Sequence, residues 1–197
     1  MPRRDLVNTI IVSFLIAVFL MPVAKATGLW TKFPPAVWFS LLGILPIISL
    51  LGMTVAYFLG KKLAILWQLA KFALVGVLNT AIDFGTLNFL IAATNITSGP
   101  SIIPIKALAF STAVLNSYFW NRRWVFEGAK SGNFALFFAV TALGIAVNAL
   151  VVFVITTYIP PIIVKDRVLW ANAANILATV ISMVWNFLGY RLVVFKK

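Results

Sequence analysis

Two ionisable residues stand where a membrane would make them expensive: Asp83 and Lys106, each inside a long apolar run. A carboxylate and an ammonium can pair, exchange a proton or bind polar cargo. In lipid each costs about 2.5 to 3.5 kcal/mol to insert, so each requires a partner or a use. Asp83 lies about 18 Å of helix beyond Lys71, and Lys106 about 24 Å before Arg122, at 1.5 Å per residue. The depth difference of about 6 Å lets the two side chains meet if their runs form a hairpin. The alternative has Lys106 snorkelling to the far headgroups and Asp83 standing protonated or solvated in the interior.

Amides recur in the same runs: Asn79, Asn88, Asn116, Asn121, Asn148, Asn172, Asn175 and Asn186. Each can hold two helices together, a contact worth about 0.6 kcal/mol on average in membranes. Together, with Asn79, Asn116, Asn148 and Asn186 beside Asp83 and Lys106, they can line a path for hydroxyl-rich cargo, because an amide both donates and accepts. Arg122, Arg123 and Arg191 close apolar runs next to Trp124, Phe126 and Phe195. Such arginines anchor topology, and Arg122 and Arg191, with Lys71, also have the chemistry to take one phosphate through bidentate bonds. The chain contains no Cys and no His. Disulfides, thiolate nucleophiles and the ordinary zinc and haem ligands are thereby excluded. There is no Ser/His/Asp set, paired membrane carboxylate or Gly-rich phosphate loop, so no enzyme activity and no cofactor are expected.

These residues are carried by a chain that is 62% hydrophobic and 10% charged. A soluble surface cannot be made from that composition; a lipid-facing one can. Six runs reach the roughly 20 apolar residues that a spanning helix needs, at 8–24, 36–60, 72–94, 102–121, 133–158 and 168–190. The fold class is therefore all-α integral membrane. Ala24-Lys25-Ala26 resembles a signal-peptide cleavage site, yet the first run precedes others of equal apolarity and reads as a first span. The net charge of +12 lies in short clusters at the ends of runs, which suits anionic headgroups and not nucleic acid. One side collects Arg3, Arg4, Lys61, Lys62, Lys71, Arg122, Arg123, Lys130, Arg191, Lys196 and Lys197, and the other only Lys25, Lys32, Lys106, Lys165 and Arg167. Both termini are expected in the cytoplasm.

Residues 1–60 hold two extra helices, 61–71 a basic segment, and 72–197 a four-helix domain. The stretch 61–71 fits either an interfacial helix or an extension of a neighbouring span. Within the last four spans a constant shift places Asn79 on Asn148, Ala109 on Ala178, Arg122 on Arg191 and Phe126 on Phe195. Two helices per copy would make a parallel 2+2 hairpin repeat.

The stretches Lys71 to Phe84, Asn116 to Phe126 and Asn186 to Phe195, above all the Asn-Arg-x-Trp-x-Phe ending at 121–126, resemble the GtrA-like family of small membrane proteins. The resemblance covers about 71–197 and leaves the first two spans unassigned. It implies a role in cell-surface polysaccharide synthesis at the plasma membrane, moving a polyprenyl-phosphate-linked monosaccharide. Lys71, Arg122 and Arg191 would then take the phosphate, and Asn79, Asp83, Lys106 and Asn116 would guide the sugar. It also implies an alternative, a non-catalytic membrane anchor for a polyprenyl-phosphate glycosyltransferase. A third reading, a small multidrug transporter with Asp83 as the proton site, lacks the membrane Glu and does not use the basic cluster. Four helices enclose little volume, which predicts a homodimer or a complex with a glycosyltransferase.

Overall fold

The computed structural model describes residues 1–129, 132–160 and 167–196, with side chains at all of these except 167–169, 171 and 172. Lys130, Lys165, Lys197 and the side chains of Arg167 and Asn172, which enter the charge and amide patterns above, lie outside the described residues.

Among the described residues, six helices are long and apolar enough to cross a membrane. They are α1 (Arg3–Ala26), α2 (Pro35–Gly60), α3 (Ala64–Thr94), α4 (Ile102–Trp120), α5 (Phe134–Tyr158) and α6 (Arg167–Gly189). Their punctuation is readable residue by residue. Gly28 turns at φ 71° between α1 and α2, and Pro35 opens α2 at its first helical position, where a missing N–H costs nothing. Asn95 closes α3 at φ 57°, in the left-handed conformation that asparagine tolerates. Asn133 caps α5, its side-chain oxygen accepting from the Ala135 and Leu136 N–H groups at 2.8 and 3.1 Å. The segment 61–71 is, from Ala64 onward, the start of α3, which runs unbroken for 31 residues with no proline to interrupt it.

The chain forms two compact units, Met1–Glu127 and Gly128–Lys197. In the first, α1 packs against α2 and α3, and α3 also against α4. α1 turns a stripe of Thr9, Val12, Ser13, Ile16 and Ala17 inward. Its hydroxyls are satisfied on their own helix, Thr9 Oγ1 donating to the Asp5 carbonyl at 2.7 Å and Ser13 Oγ to the Thr9 carbonyl at 2.6 Å. Small, internally bonded side chains let helices approach closely where lipid offers no hydrophobic drive. The approach is closest at Gly85, where a Cβ would run into the carbonyl of Phe19. α2 buries only Pro46 and Met53, and residues such as Leu51, 66% exposed, are what a lipid-facing helix presents.

In the second unit α5 and α6 form one hairpin. Asn186 lies so close on Gly144 that a Cβ there would meet its amide, and Val140 covers Gly189. Both units close on a widened, π-helical turn, Asn121–Val125 after α4 and Tyr190–Val194 after α6. In each, a phenylalanine N–H reaches back five residues: Phe126 to the Asn121 carbonyl at 2.8 Å and Phe195 to that of Tyr190 at 2.7 Å. Both phenylalanines are buried.

Replacing Gly85 by alanine is expected to destabilise the protein by about 1 to 3 kcal/mol, the cost of overpacking a close contact. Gly76→Ala, which meets open space, should leave stability unchanged or raise it slightly. Thermal unfolding of both variants in detergent or nanodiscs checks the contrast.

Candidate functional site

Two polar constellations stand out in the first unit. The deeper one is the pair expected from depth alone: Lys106 Nζ donates to Asp83 Oδ2 at 2.6 Å. The third and fourth spans are adjacent helices of a hairpin, and that adjacency brings the two depths together. Asp83 keeps its side chain 21% exposed and Lys106 48%, and the ammonium lies 5.9 Å from the Phe84 ring centroid. The second carboxylate oxygen, Asp83 Oδ1, is buried without a hydrogen-bond partner. As a carboxylate oxygen it retains the capacity to accept a hydrogen bond.

About one turn nearer the Lys71 end, Asn116 Nδ2 donates to Asn79 Oδ1 at 2.7 Å, tying α3 to α4. In the second unit the seam between α5 and α6 is also polar but, among the described residues, uncharged. The Thr141 hydroxyl and the Tyr190 phenol lie 2.7 Å apart, Asn148 Nδ2 is 3.5 Å from Ser182 Oγ, and Asn186 Oδ1 is buried without a partner. Asn79 and Asn148, which the shift of the sequence against itself aligns, thus take partners at positions that it does not align.

The second constellation lies at the Lys71 end. Lys71, expected at an open headgroup site, is only 3% exposed. Its Nζ is 2.8 Å from Asp5 Oδ1 and 3.4 Å from Glu127 Oε1, and it lies over the rings of Trp67 and Trp124 at 5.1 and 5.9 Å. Asp5 Oδ1 also accepts from Trp124 Nε1 at 2.7 Å. Arg4 adds a bond to Glu127 Oε2 at 2.9 Å and one to the carbonyl of Arg123, and Gln68 Nε2 donates to the Val125 carbonyl at 3.1 Å. Two cations and two carboxylates therefore neutralise one another around the turn Asn121–Val125. Its arginines stay exposed, Arg122 at 5.9 Å from the Tyr118 ring and Arg123 at 5.4 Å from that of Phe119. Arg191 is likewise exposed in the matching turn of the second unit.

Asp5, Glu127, Arg4, Gln68 and Trp124 are site residues that the sequence reading did not assemble. One signal for Asp5 was present. A chain with four acidic residues that spends one between arginines and its first apolar run is using it for something, since basic residues are what topology asks for there.

Residues 71–195 match the sequence family described as GtrA/DPMS, transmembrane domain. The chain belongs to this family. It is a multi-pass membrane protein, and it is similar to the uncharacterized membrane protein YngA of Bacillus subtilis (strain 168), 28% identical over 127 residues that cover 64% of this chain and 78% of that protein. No solved structure matches it. The GtrA/DPMS match opens at Lys71 itself, so α1 and α2 lie outside it. The principal counter-ion of the first matched residue comes from α1, which lies outside the matched residues.

Lys71→Met alone leaves Asp5 buried without its cation and is expected to cost about 3 to 5 kcal/mol. Lys71→Met combined with Asp5→Asn removes both charges and should recover most of that loss. Unfolding midpoints of the two variants against wild type decide this.

Proposed function

We propose that this GtrA/DPMS-family protein moves a polyprenyl-phosphate-linked monosaccharide across the plasma membrane, with the Arg4, Lys71 and Arg122 end and both termini facing the cytoplasm, and that it is not an enzyme. The observation that carries the reading is the Asp83–Lys106 pair, with one carboxylate oxygen unpartnered deep in a hairpin. An anchor gains nothing from two charges that are each costly to insert; a path for hydroxyls does. Above the pair come Asn79 and Asn116, then exposed Arg122 about 9 Å further along α4. Such a series suits a cargo with one anionic group, a polar ring and an apolar tail left in lipid. Arg122 supplies guanidinium chemistry for a phosphate at the end of the first unit, and Arg191 the same chemistry at the end of the second. Asn148 and Asn186 offer amides for the sugar in the second hairpin. The motion runs down a gradient kept by consumption of the sugar outside. A second copy of the chain, or a membrane glycosyltransferase, completes the enclosing wall.

The second reading is a membrane scaffold for a polyprenyl-phosphate glycosyltransferase, and it is favoured by the family description, which joins GtrA with DPMS. The two readings part at Asp83, which a scaffold tolerates losing.

Reconstitution in liposomes that contain only this protein and a lipid-linked sugar tests the proposal. Wild type should translocate, and Asp83→Asn and Arg122→Ala, at equal folded amounts, should each lose roughly tenfold or more, the worth of one charge-assisted hydrogen bond. A folded wild type without translocation, or an Asp83→Asn variant as active as wild type, gives the scaffold reading its place.

A further inference from the structure

The phosphate-lipid reading leaves α1 without a task, yet α1 supplies the groups that fix the turn carrying Arg122. A π-helical turn holds more residues than an α-helical one, leaves carbonyls of the α-ladder to other partners and is often found at functional sites. Here the Arg123 carbonyl is taken by Arg4 and the Val125 carbonyl by Gln68. The Trp124 indole N–H is taken by Asp5, and Trp124 is fully buried. Lys71 and Glu127 then hold Asp5 and Arg4 in place. Three of the five turn residues are therefore bonded outward, two of them to α1.

Charge points the same way. The two cations Arg4 and Lys71 are matched by Asp5 and Glu127, whereas Arg122 and Arg123 have no carboxylate within salt-bridge distance among the described residues. An anionic headgroup that approaches this end meets Arg122 as an uncompensated, exposed guanidinium. Lys71 is enclosed and already spent.

We propose that α1 completes the anion site: Asp5 and Arg4 are positioning residues that hold the turn Asn121–Val125 so that Arg122 can bind a lipid phosphate, and Lys71 acts through Asp5 without touching that phosphate. The inference rests on the phosphate-lipid reading above and assigns it a part that lies outside the family match.

The test is binding of undecaprenyl phosphate to the full chain in phosphatidylcholine nanodiscs, with unfolding midpoints recorded for every variant. Arg122→Ala should weaken binding about tenfold and Asp5→Asn about fivefold, the net worth of a hydrogen bond. The double variant should bind no more weakly than Arg122→Ala, because a positioning group has nothing left to position. Trp124→Phe removes the indole donor and leaves every charge, so it should reproduce the loss of Asp5→Asn even if the latter folds poorly. Phosphatidylglycerol titrated in parallel separates two sources of the same headgroup chemistry; a loss with either lipid supports the clamp and names the lipid it serves. Unchanged affinity in folded Asp5→Asn and Trp124→Phe, with Arg122→Ala impaired, overturns the inference and spares the phosphate reading. Tighter binding by Asp5→Asn also overturns it, because Asp5 would then be competing with phosphate for Lys71. Absence of binding by wild type removes the inference and the reading together.

Discussion

A charge carried into a membrane must be matched, and this chain has few carboxylates to do the matching. Four acidic residues face sixteen basic ones, and Asp5, Asp83 and Glu127 each lie within salt-bridge distance of a cation. Asp5 is buried, Asp83 mostly so, and Glu127 stays exposed while bonded to two cations. Asp5 and Glu127 fix the end of the first unit, and Asp83 fixes the middle of its α3–α4 hairpin. The cost of desolvating each ion is repaid only when its partner is close and the remaining valences are filled, and around Lys71 they are filled by two carboxylates and two aromatic faces. α1 thereby becomes part of the α3–α4 domain and not an appendage to it. The tight stripe from Thr9 to Ala17 and the bare backbone at Gly85 follow from having to bring Asp5 to Lys71.

Sequence reasoning reached the deep pair and missed the shallow one for a definable reason. Asp83 and Lys106 lie on consecutive spans, so counting helical rise from the two basic ends places them within about 6 Å of each other in depth. Asp5 and Trp124 are bonded across 119 residues, and nothing local to either announces it. The six spans were legible because a run of about twenty apolar residues has one solution in lipid. The character of 61–71 was not, since Lys61 and Lys62 with Trp67 suit a headgroup-plane helix and the overhanging start of a span equally well. In the fold the stretch from Ala64 is continuous with the rest of α3 to Thr94.

The Asn-Arg-x-Trp-x-Phe ending illustrates what a motif leaves unsaid. Its residues were legible as a headgroup-level cluster, but the widening of the turn was not. The second unit makes the same turn with Leu192 and Val193 where the first has Arg123 and Trp124. The two turns share an arginine and a valine, Arg122 with Arg191 and Val125 with Val194, and in both the phenylalanine that follows is buried and bonded five residues back. Phenylalanine therefore accounts for the closure, while tryptophan accounts for the attachment to Asp5. One residue of the motif serves the helix end and the other serves the neighbouring helix.

The two hairpins share an ending and differ along their length. α3 and α4 are joined by an ion pair and an amide pair; α5 and α6 are joined by hydroxyls, amides and a glycine under Asn186. A neutral seam of this kind adds only about 0.6 kcal/mol per contact and exacts little when exchanged for apolar packing. A charged seam is costly to insert and worse to break, so its retention has to be repaid by what it does. That asymmetry sets the α3–α4 seam apart from the α5–α6 seam among the described residues. It also explains why α1, which braces the end of that same seam, is built from residues whose bonding leaves no slack.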